Sequence, residues 1–374
     1  MMKTVTYQVS FVTPAFLGNA EQSGQWRTPP FKALLRQWWR VAAAPQFDYD
    51  HRKLREAEGR LFGHAWLEGD KDRKGNKATA RKSLVHIRLD NWMQGKQKPS
   101  DWSGRHFERV TTTKNGKGKV RADLYLGFGA VLPPSKKENR QRIELHRNAL
   151  KPTEQGTLKL RLPAEHEETI QSVMTLIQLF GSLGSRARNG WGSLDLGMDI
   201  GLDEKTLAPF SRPWTDCLEL DWPHALGRDA NNNLLIWVTQ PVEDWRAALN
   251  ALAHIKVGIR AEAKKFRDHS KIGGVHLLGY PAGKDWKLVE FAKDVPHPGD
   301  QEARLATQMR FKVMQTPDGF VGVVYHLPAK LPDVLRARLN RKQTAWLEAN
   351  ERKVWQAIHH YLDNRNDTLS RLGA

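Results

Sequence analysis

The hydrophobic period of this chain switches between that of a strand and that of a helix in a fixed order. No other feature constrains the fold so tightly. Residues 4 to 12, TVTYQVSFV, are β-branched and aromatic and predict a strand. TPAFLGNAEQSGQWRTPP then predicts a loop, punctuated by Gly18, Gly24 and the Pro29-Pro30 pair. Phe31, Leu34, Leu35, Trp38, Val41 and Ala42 recur at helical spacing and predict a buried helix face. A second helix is expected over 51 to 62. SLVHIRLDN (83 to 91), DLYLGFGAVL (123 to 132) and LKLRLP (158 to 163) read as strands. Ile170, Val173, Met174, Ile177 and Phe180 predict a further helix, and Leu194, Leu196, Met198 and Ile200 a closing strand. Strand, helix, strand, strand, helix, strand, with insertions, is the ferredoxin-like or split βαβ order, which also underlies RNA-recognition modules.

A polar, proline-containing stretch, LDEKTLAPFSRPWT (202 to 215), predicts a boundary between domains at 1–204 and 205–374. The cycle then restarts. CLELDW and NLLIWVT read as strands, and 242 to 265 as a helix. RFKVMQTPDGFVGVVYHL reads as a hairpin, because Pro317-Asp318-Gly319 supplies turn chemistry. The stretch 331 to 363 reads as helical, with Leu347, Val354, Ile358 and Leu362 on one face. The expected class is α+β, with two ferredoxin-like (RRM-like) domains.

The 374 residues carry 59 Lys and Arg against 41 Asp and Glu, a net charge of +18. Such an excess favours a polyanionic partner. A membrane surface fits poorly, since no long helix joins a cationic face to an apolar one. No run approaches the ~18 apolar residues of a membrane span, and the N-terminus has no apolar core of signal-peptide type. The single cysteine, Cys217, excludes an intrachain disulfide framework and a cysteine zinc knuckle, and fits a reducing cytoplasm.

The basic residues cluster in three places. Lys32, Arg36 and Arg40 form a stripe on the first predicted helix, with Trp39 at the edge of its apolar face. Residues 93 to 122 form a basic, glycine-rich insertion, expected to be mobile until bound. The third cluster is GSLGSRARNGWG, residues 181 to 192. A mononucleotide loop needs strand before and helix after, and a lysine before Ser or Thr. Here the helix comes first and the lysine is missing. The glycines would let backbone approach an extended phosphate chain. Arg186 and Arg188 would fork onto phosphate oxygens, and Trp191 would stack on a base. A tight helix-to-strand turn with exposed arginines fits the same residues equally well.

The glycine loop resembles that of the RAMP superfamily, RNA-binding subunits of CRISPR effector complexes. SFVTPAFLGNAEQSGQWRTPPFKALLRQWWR narrows the match to the first-numbered RAMP subunits of the type III-B Cmr complex. Thr13, Pro14, Gly18, Arg27, Pro29, Lys32, Leu35, Arg36, Trp38, Trp39 and Arg40 fall on that pattern, and Ala33-Leu34 departs from its usual Gly-Ala. Near the C-terminus, Arg304, Met309, Phe311 and Lys312 follow the family ending, with Ala306-Thr307 where Ala-Ser is common. The resemblance implies a non-catalytic subunit without a cofactor. It would cap a helical backbone and grip the 3′-side region of the guide RNA or its target duplex, beside other RAMP subunits. The RNA-binding residues expected from charge and resemblance together are Arg27, Lys32, Arg36, Trp39, Arg40, Gly184, Ser185, Arg186, Arg188, Asn189, Gly190 and Trp191.

The alternative is a metal-independent endoribonuclease processing CRISPR RNA, since the superfamily includes such enzymes. It would need a general base and acid around a 2′-hydroxyl. His254, His269 and His276, near Lys264, Lys265 and Lys271, are the candidates. No HExxH, HD or GGDD string occurs, so zinc peptidase, HD nuclease and cyclase chemistry lack their ligands.

Overall fold

The computed structural model describes residues 1–65, 71, 75–78, 80–98, 101, 107–112, 118–131, 148–152, 154–267, 272–279 and 305–373. These fall into two units. One comprises Met1–His106, Leu126–Leu202 and Lys312–Gln315; the other comprises Phe107–Tyr125, Asp203–Phe311 and Thr316–Ala374.

In chain order the elements up to residue 202 begin with β1 (Met2–Phe11), α1 (Thr28–Ala43), α2 (His51–Phe62) and β2 (His86–Leu89). They continue with β3 (Arg109–Thr111), β4 (Lys119–Arg121), α3 (Ala122–Gly127), β5 (Gln155–Pro163), α4 (Glu167–Phe180) and β6 (Leu194–Asp195). Beyond them come α5 (Glu204–Leu207), β7 (Ser211–Pro213), α6 (Trp214–Cys217), β8 (Leu226–Arg228) and β9 (Ile236–Thr239). The chain closes with α7 (Trp245–Lys265), α8 (Gly274–Leu278), β10 (Met309–Thr316), β11 (Gly319–His326), α9 (Asp333–Arg336), α10 (Arg341–Asp363) and β12 (Leu369–Arg371).

The first unit is built on a sheet of order β2-β5-β1-β6, antiparallel at every pairing. Alternation sets its inner face: Leu158, Leu160 and Leu162 of β5 are buried, while Lys159 and Arg161 between them are exposed. The apolar stripes of α1 and α4 meet each other, with the ring of Trp38 stacked on Phe180 at 5.6 Å. Both stripes are the ones read from the sequence, and every residue named on them is buried. Pro29 and Pro30 enter α1 at its first turn, where a missing N–H costs nothing. Asp50 caps α2 by accepting the amides of Arg52 and Lys53.

The second unit carries a sheet of order β10-β11-β9-β12, with β9 antiparallel to β11 and β12. Asp244 caps α7 and Asn340 caps α10. In each sheet the strand that comes first in the chain lies between the third and the fourth, with the second outermost. The restart read from the sequence is therefore a repeat of strand order. Lys312–Gln315, the later part of β10, groups with the first unit.

Three expectations need correction. DLYLGFGAVL is not a strand over its described residues, 123–131: Ala122 to Gly127 form α3, with Ala122 and Leu126 buried one turn apart. Asp123 favours the helix start by accepting the Leu124 amide at 2.8 Å and both forks of Arg121. An apolar run of this length does not distinguish helix from strand. CLELDW is not a strand either; its cysteine closes α6 behind Pro213, and the chain pairs later, in β8. The strand expected over 194 to 200 is paired only at Leu194 and Asp195.

The basic insertion is paired where it is described. Val110 faces Val120 in a β3–β4 hairpin, Gln94 bridges Gln25 and Gln97 bridges Ala149. Its residues 99, 100, 102–106 and 113–117 lie outside the described residues. Among the described residues, no helix is long and apolar enough to cross a membrane.

Candidate nucleic-acid interface

The glycine loop leaves α4 at Gly181 and reaches β6 at Leu194, whose amide returns to the Gly181 carbonyl at 3.0 Å. Its glycines serve close approach, but the backbone they approach is the chain's own. Gly184 has φ +98°, and a Cβ there would stand 2.8 Å from the Phe16 carbonyl carbon and oxygen. Gly192 has φ +60°, and a Cβ there would stand 1.9 Å from the Leu183 oxygen. Both positions are therefore closed to side chains, on conformation and on space. The loop docks on the exit of β1. Ser185 donates its amide to Phe16 (3.1 Å), and Gly192 donates to Pro14 (3.0 Å). Thr13 Oγ1 donates to the Gly190 carbonyl at 2.8 Å and accepts the Ser193 amide at 3.0 Å.

The motif near the C-terminus closes the same assembly. Ser193 Oγ donates to the Gly190 carbonyl at 3.0 Å and accepts the Val313 amide at 3.0 Å. Next to it, the Lys312 ammonium is buried and donates to the last-turn carbonyls of α4, to Ile177 at 3.3 Å and to Gln178. Burial pushes the Lys312 amine down to about 7, against the opposing pull of Asp195. A cation at a helix C-terminus is favoured by the helix dipole. Three stretches far apart in sequence, 13–18, 181–193 and 312–313, thus form one hydrogen-bonded block.

The structure divides the expected site residues into three groups. Ser185, Arg186 and Arg188 sit on the outer curve of the loop; both arginines are exposed and Ser185 is half-buried. Arg186 takes the left-handed conformation, φ +61°, and donates its Nε to the Phe128 carbonyl at 2.6 Å. Arg27 is half-buried and donates to the Gly18 carbonyl at 2.7 Å, tying the β1 exit loop to the entry of α1. Gly190 and Asn189 belong to the second group, with Gly184: they hold the loop together. Asn189 is buried and donates its side-chain amide to the Leu126 carbonyl at 2.7 Å.

The third group is turned to internal use. Trp191 is fully buried, with its ring 5.4 Å from Phe16. Trp39 is buried between Phe47 and Phe62, at 6.3 and 6.0 Å. Neither ring offers a face to a base, so stacking on Trp39 and Trp191 is withdrawn. Arg36 and Arg40 are held by Glu58 of α2, a carboxylate only 2% exposed. Arg36 Nε lies 2.5 Å from Oε1; Arg40 gives Nε to Oε2 at 2.5 Å and Nη2 to Oε1 at 2.8 Å. The stripe is therefore partly neutralised within the fold. Lys32 lies half-buried on the same helix, its amine lowered by burial and then by Arg36.

Three of the described candidates for catalysis have partners within the fold. His254 is exposed and pairs with Glu108 at 2.9 Å. His276 is fully buried, its Nδ1 3.0 Å from the Gly273 amide. Lys265 is paired with Glu262 and Lys264 is exposed, its amine lowered by burial and by Arg260. His269 and Lys271 lie outside the described residues. Among the described residues no three His, Cys, Asp or Glu side chains gather as a metal site. Sequence reasoning missed Glu58 and Phe128. Glu58 gave a signal in hindsight: it lies in a helix whose other buried positions are Leu54, Gly59, Leu61 and Phe62.

An α+β chain of two units with the same strand order, carrying a docked glycine loop, is the class the structure defines. No protein-family model matches the chain, and no curated protein matches it. Among solved structures it is similar to apo Cmr1 from Pyrococcus furiosus, with 15% identity, 92% of each chain covered and a TM-score of 0.46. It is also similar to a chain of the type III-B Cmr-beta complex bound to cognate target RNA and AMPPnP in the presence of ssDNA. That match has 12% identity, covers 96% of this chain and 98% of the other, and has a TM-score of 0.44. A chain of Cmr-beta bound to cognate target RNA matches at 13% identity, over 96% and 99% of the two chains, with a TM-score of 0.42.

Proposed function

We propose that this protein is a non-catalytic, RNA-binding subunit of a type III-B CRISPR effector of the Cmr kind, and that both its units are ferredoxin-like. The observation that carries the reading is the convergence of the three motifs shared with the RAMP family into one block. That block presents Ser185, Arg186 and Arg188 on its outer curve. Residues that resemble a family signature and also hold one another in place are being used as a unit. The net charge of +18 supplies the long-range attraction for a polyanion. The common strand order of the two sheets supports the ferredoxin-like reading.

In this reading the loop grips the phosphate chain of a guide RNA or its target duplex, and neighbouring RAMP subunits complete the channel. The rigid docking of the loop keeps the arginines preorganised, so little conformational freedom is lost on binding. The test is the salt dependence of binding to single-stranded RNA. Each phosphate contact contributes about 0.7 to the slope of log K against log salt. Arg186→Ala/Arg188→Ala should weaken binding and flatten the slope by about 1.4. An unchanged slope refutes the role given to the loop. Labelled RNA incubated with the purified protein should stay intact with or without divalent metal. Cleavage that survives repurification and is lost in His254→Ala would favour the ribonuclease instead.

A further inference from the structure

Phe128 is 59% exposed, although Gly127 before it and Ala130 and Val131 beyond Gly129 are buried. The turn closes α3 through Ala130 and Val131, whose amides both donate to the Gly127 carbonyl, at 2.9 and 2.8 Å. Leu126, Ala130 and Val131 are all buried. The largest apolar side chain of the segment is the one left in water, on backbone that is firmly held. A lone exposed apolar residue is ordinary on a protein surface; the neighbours of this one are not.

The Phe128 carbonyl accepts the Arg186 Nε at 2.6 Å, and the Leu126 carbonyl accepts Asn189 at 2.7 Å. A Cβ built on Gly129 would stand 3.4 Å from Arg186 Nη2, so the guanidinium lies along this turn. Among the described residues no cation or ring stacks on the phenyl group, and Arg186 has no partner besides that carbonyl. A free aromatic face is therefore fixed beside a cation that retains unused donors. Proteins that hold single-stranded RNA combine these two elements, an aromatic face for the base and a cation for the backbone.

We propose that Phe128 is the base-stacking element of this interface, taking the face of an unpaired base while Arg186 holds an adjoining phosphate. The proposal rests on the reading that the glycine loop binds RNA. It puts the aromatic role on Phe128 in place of Trp39 and Trp191.

The experiment uses the full chain and a single-stranded RNA, together with copies of that RNA carrying one abasic residue at successive positions. Phe128→Ala and Phe128→Leu should each bind the intact RNA about tenfold more weakly, with an unchanged salt slope, and Phe128→Trp should bind like wild type. All three should melt with wild type, because the side chain lies outside the core. One abasic position should weaken wild-type binding and have no further effect on Phe128→Ala. Binding by Phe128→Leu at wild-type strength would overturn the proposal and mark the ring as an apolar contact for a protein neighbour. Wild-type binding by Phe128→Ala, with a salt slope that still depends on Arg186 and Arg188, would overturn stacking alone. Failure of the wild-type chain to bind RNA would overturn both readings.

Discussion

Glu58 decides whether the basic stripe of α1 belongs to the fold or to RNA. Arg36→Ala removes the Nε donor 2.5 Å from Oε1, while Arg40 keeps its bonds at 2.5 and 2.8 Å. A hydrogen bond to a charged group contributes about 1.5–3 kcal/mol. The Arg36 and Arg40 side chains are 28% and 46% exposed, so water screens part of this and the lower value, about 1.5 kcal/mol, applies. At about 2–4 °C per kcal/mol for a unit of this size, the single variant should melt roughly 3–6 °C lower. Arg36→Ala/Arg40→Ala strands a carboxylate that is 2% exposed. Leaving a buried charge unpaired costs about 3–5 kcal/mol, so the melt should fall by roughly 6–20 °C.

The diagnostic member is the triple variant, in which Glu58→Met is added to the double. It removes the stranded charge and fills the space, and it should melt above the double variant although it carries one more substitution. Thermal denaturation followed by circular dichroism, at fixed pH and two salt concentrations, reads all three. The RNA salt slope should change little across the series. A double variant that melts with wild type and loses RNA affinity would refute the argument and return the two arginines to the interface. A triple variant no more stable than the double would refute the buried-charge mechanism.

Two further outcomes follow from the geometry. Gly192→Ala places a Cβ 1.9 Å from the Leu183 oxygen at φ +60°, so it should destabilise the first unit by about 1–3 kcal/mol and weaken RNA binding with it; a variant that melts and binds like wild type would show that the loop yields. The second unit should lose stability in acid. His326 and His359 are buried 3.0 Å apart; burial and the neighbouring histidine hold His326 well below its ordinary value, and burial with Arg371 lowers His359 to about 3. His224, lowered to about 4 mainly by burial, adds to this. All three are neutral in the fold, so their contribution is complete above the unfolded value of about 6.5 and is lost as pH falls from there towards the folded values. The loss is up to about 1.4 kcal/mol per pH unit for each histidine, and a melting temperature that stays flat from pH 7 to pH 5 would contradict it.

Much of the fold was legible because period and burial agree. The limits of α2 were read without error, and the stripes Phe31 to Ala42 and Ile170 to Phe180 carried α1 and α4 into place. One failure falls where an apolar run has no period of its own. Ala122 to Gly127 became a helix through one local event, Asp123 receiving Leu124 and Arg121, which hydrophobicity does not encode. The aromatic residues failed for a related reason. A tryptophan beside arginines looks the same in sequence whether it faces a base or the core. Trp39 and Trp191 face the core, and Phe128, an exposed ring, sits in a stretch that reads as a strand.

The glycine loop shows the deeper limit. Glycine clustering reports that something approaches the backbone closely, and it does not report what. The sequence leaves a phosphate cradle and a tight helix-to-strand turn with exposed arginines as equal readings. The positions where a Cβ would strike answer the question for Gly184 and Gly192: the obstacles are Phe16 and Leu183. Those glycines build the loop, and what they build turns Ser185, Arg186 and Arg188 outward. In the proposed function the two readings are successive levels of one structure. The loop would first fit its own strand exit and so hold its arginines rigid for a phosphate, and a substitution at either level should weaken the same binding through a different measurable step. Loss of a glycine should lower the melting temperature together with affinity, whereas loss of an arginine should lower affinity and the salt slope and leave the melting temperature unchanged.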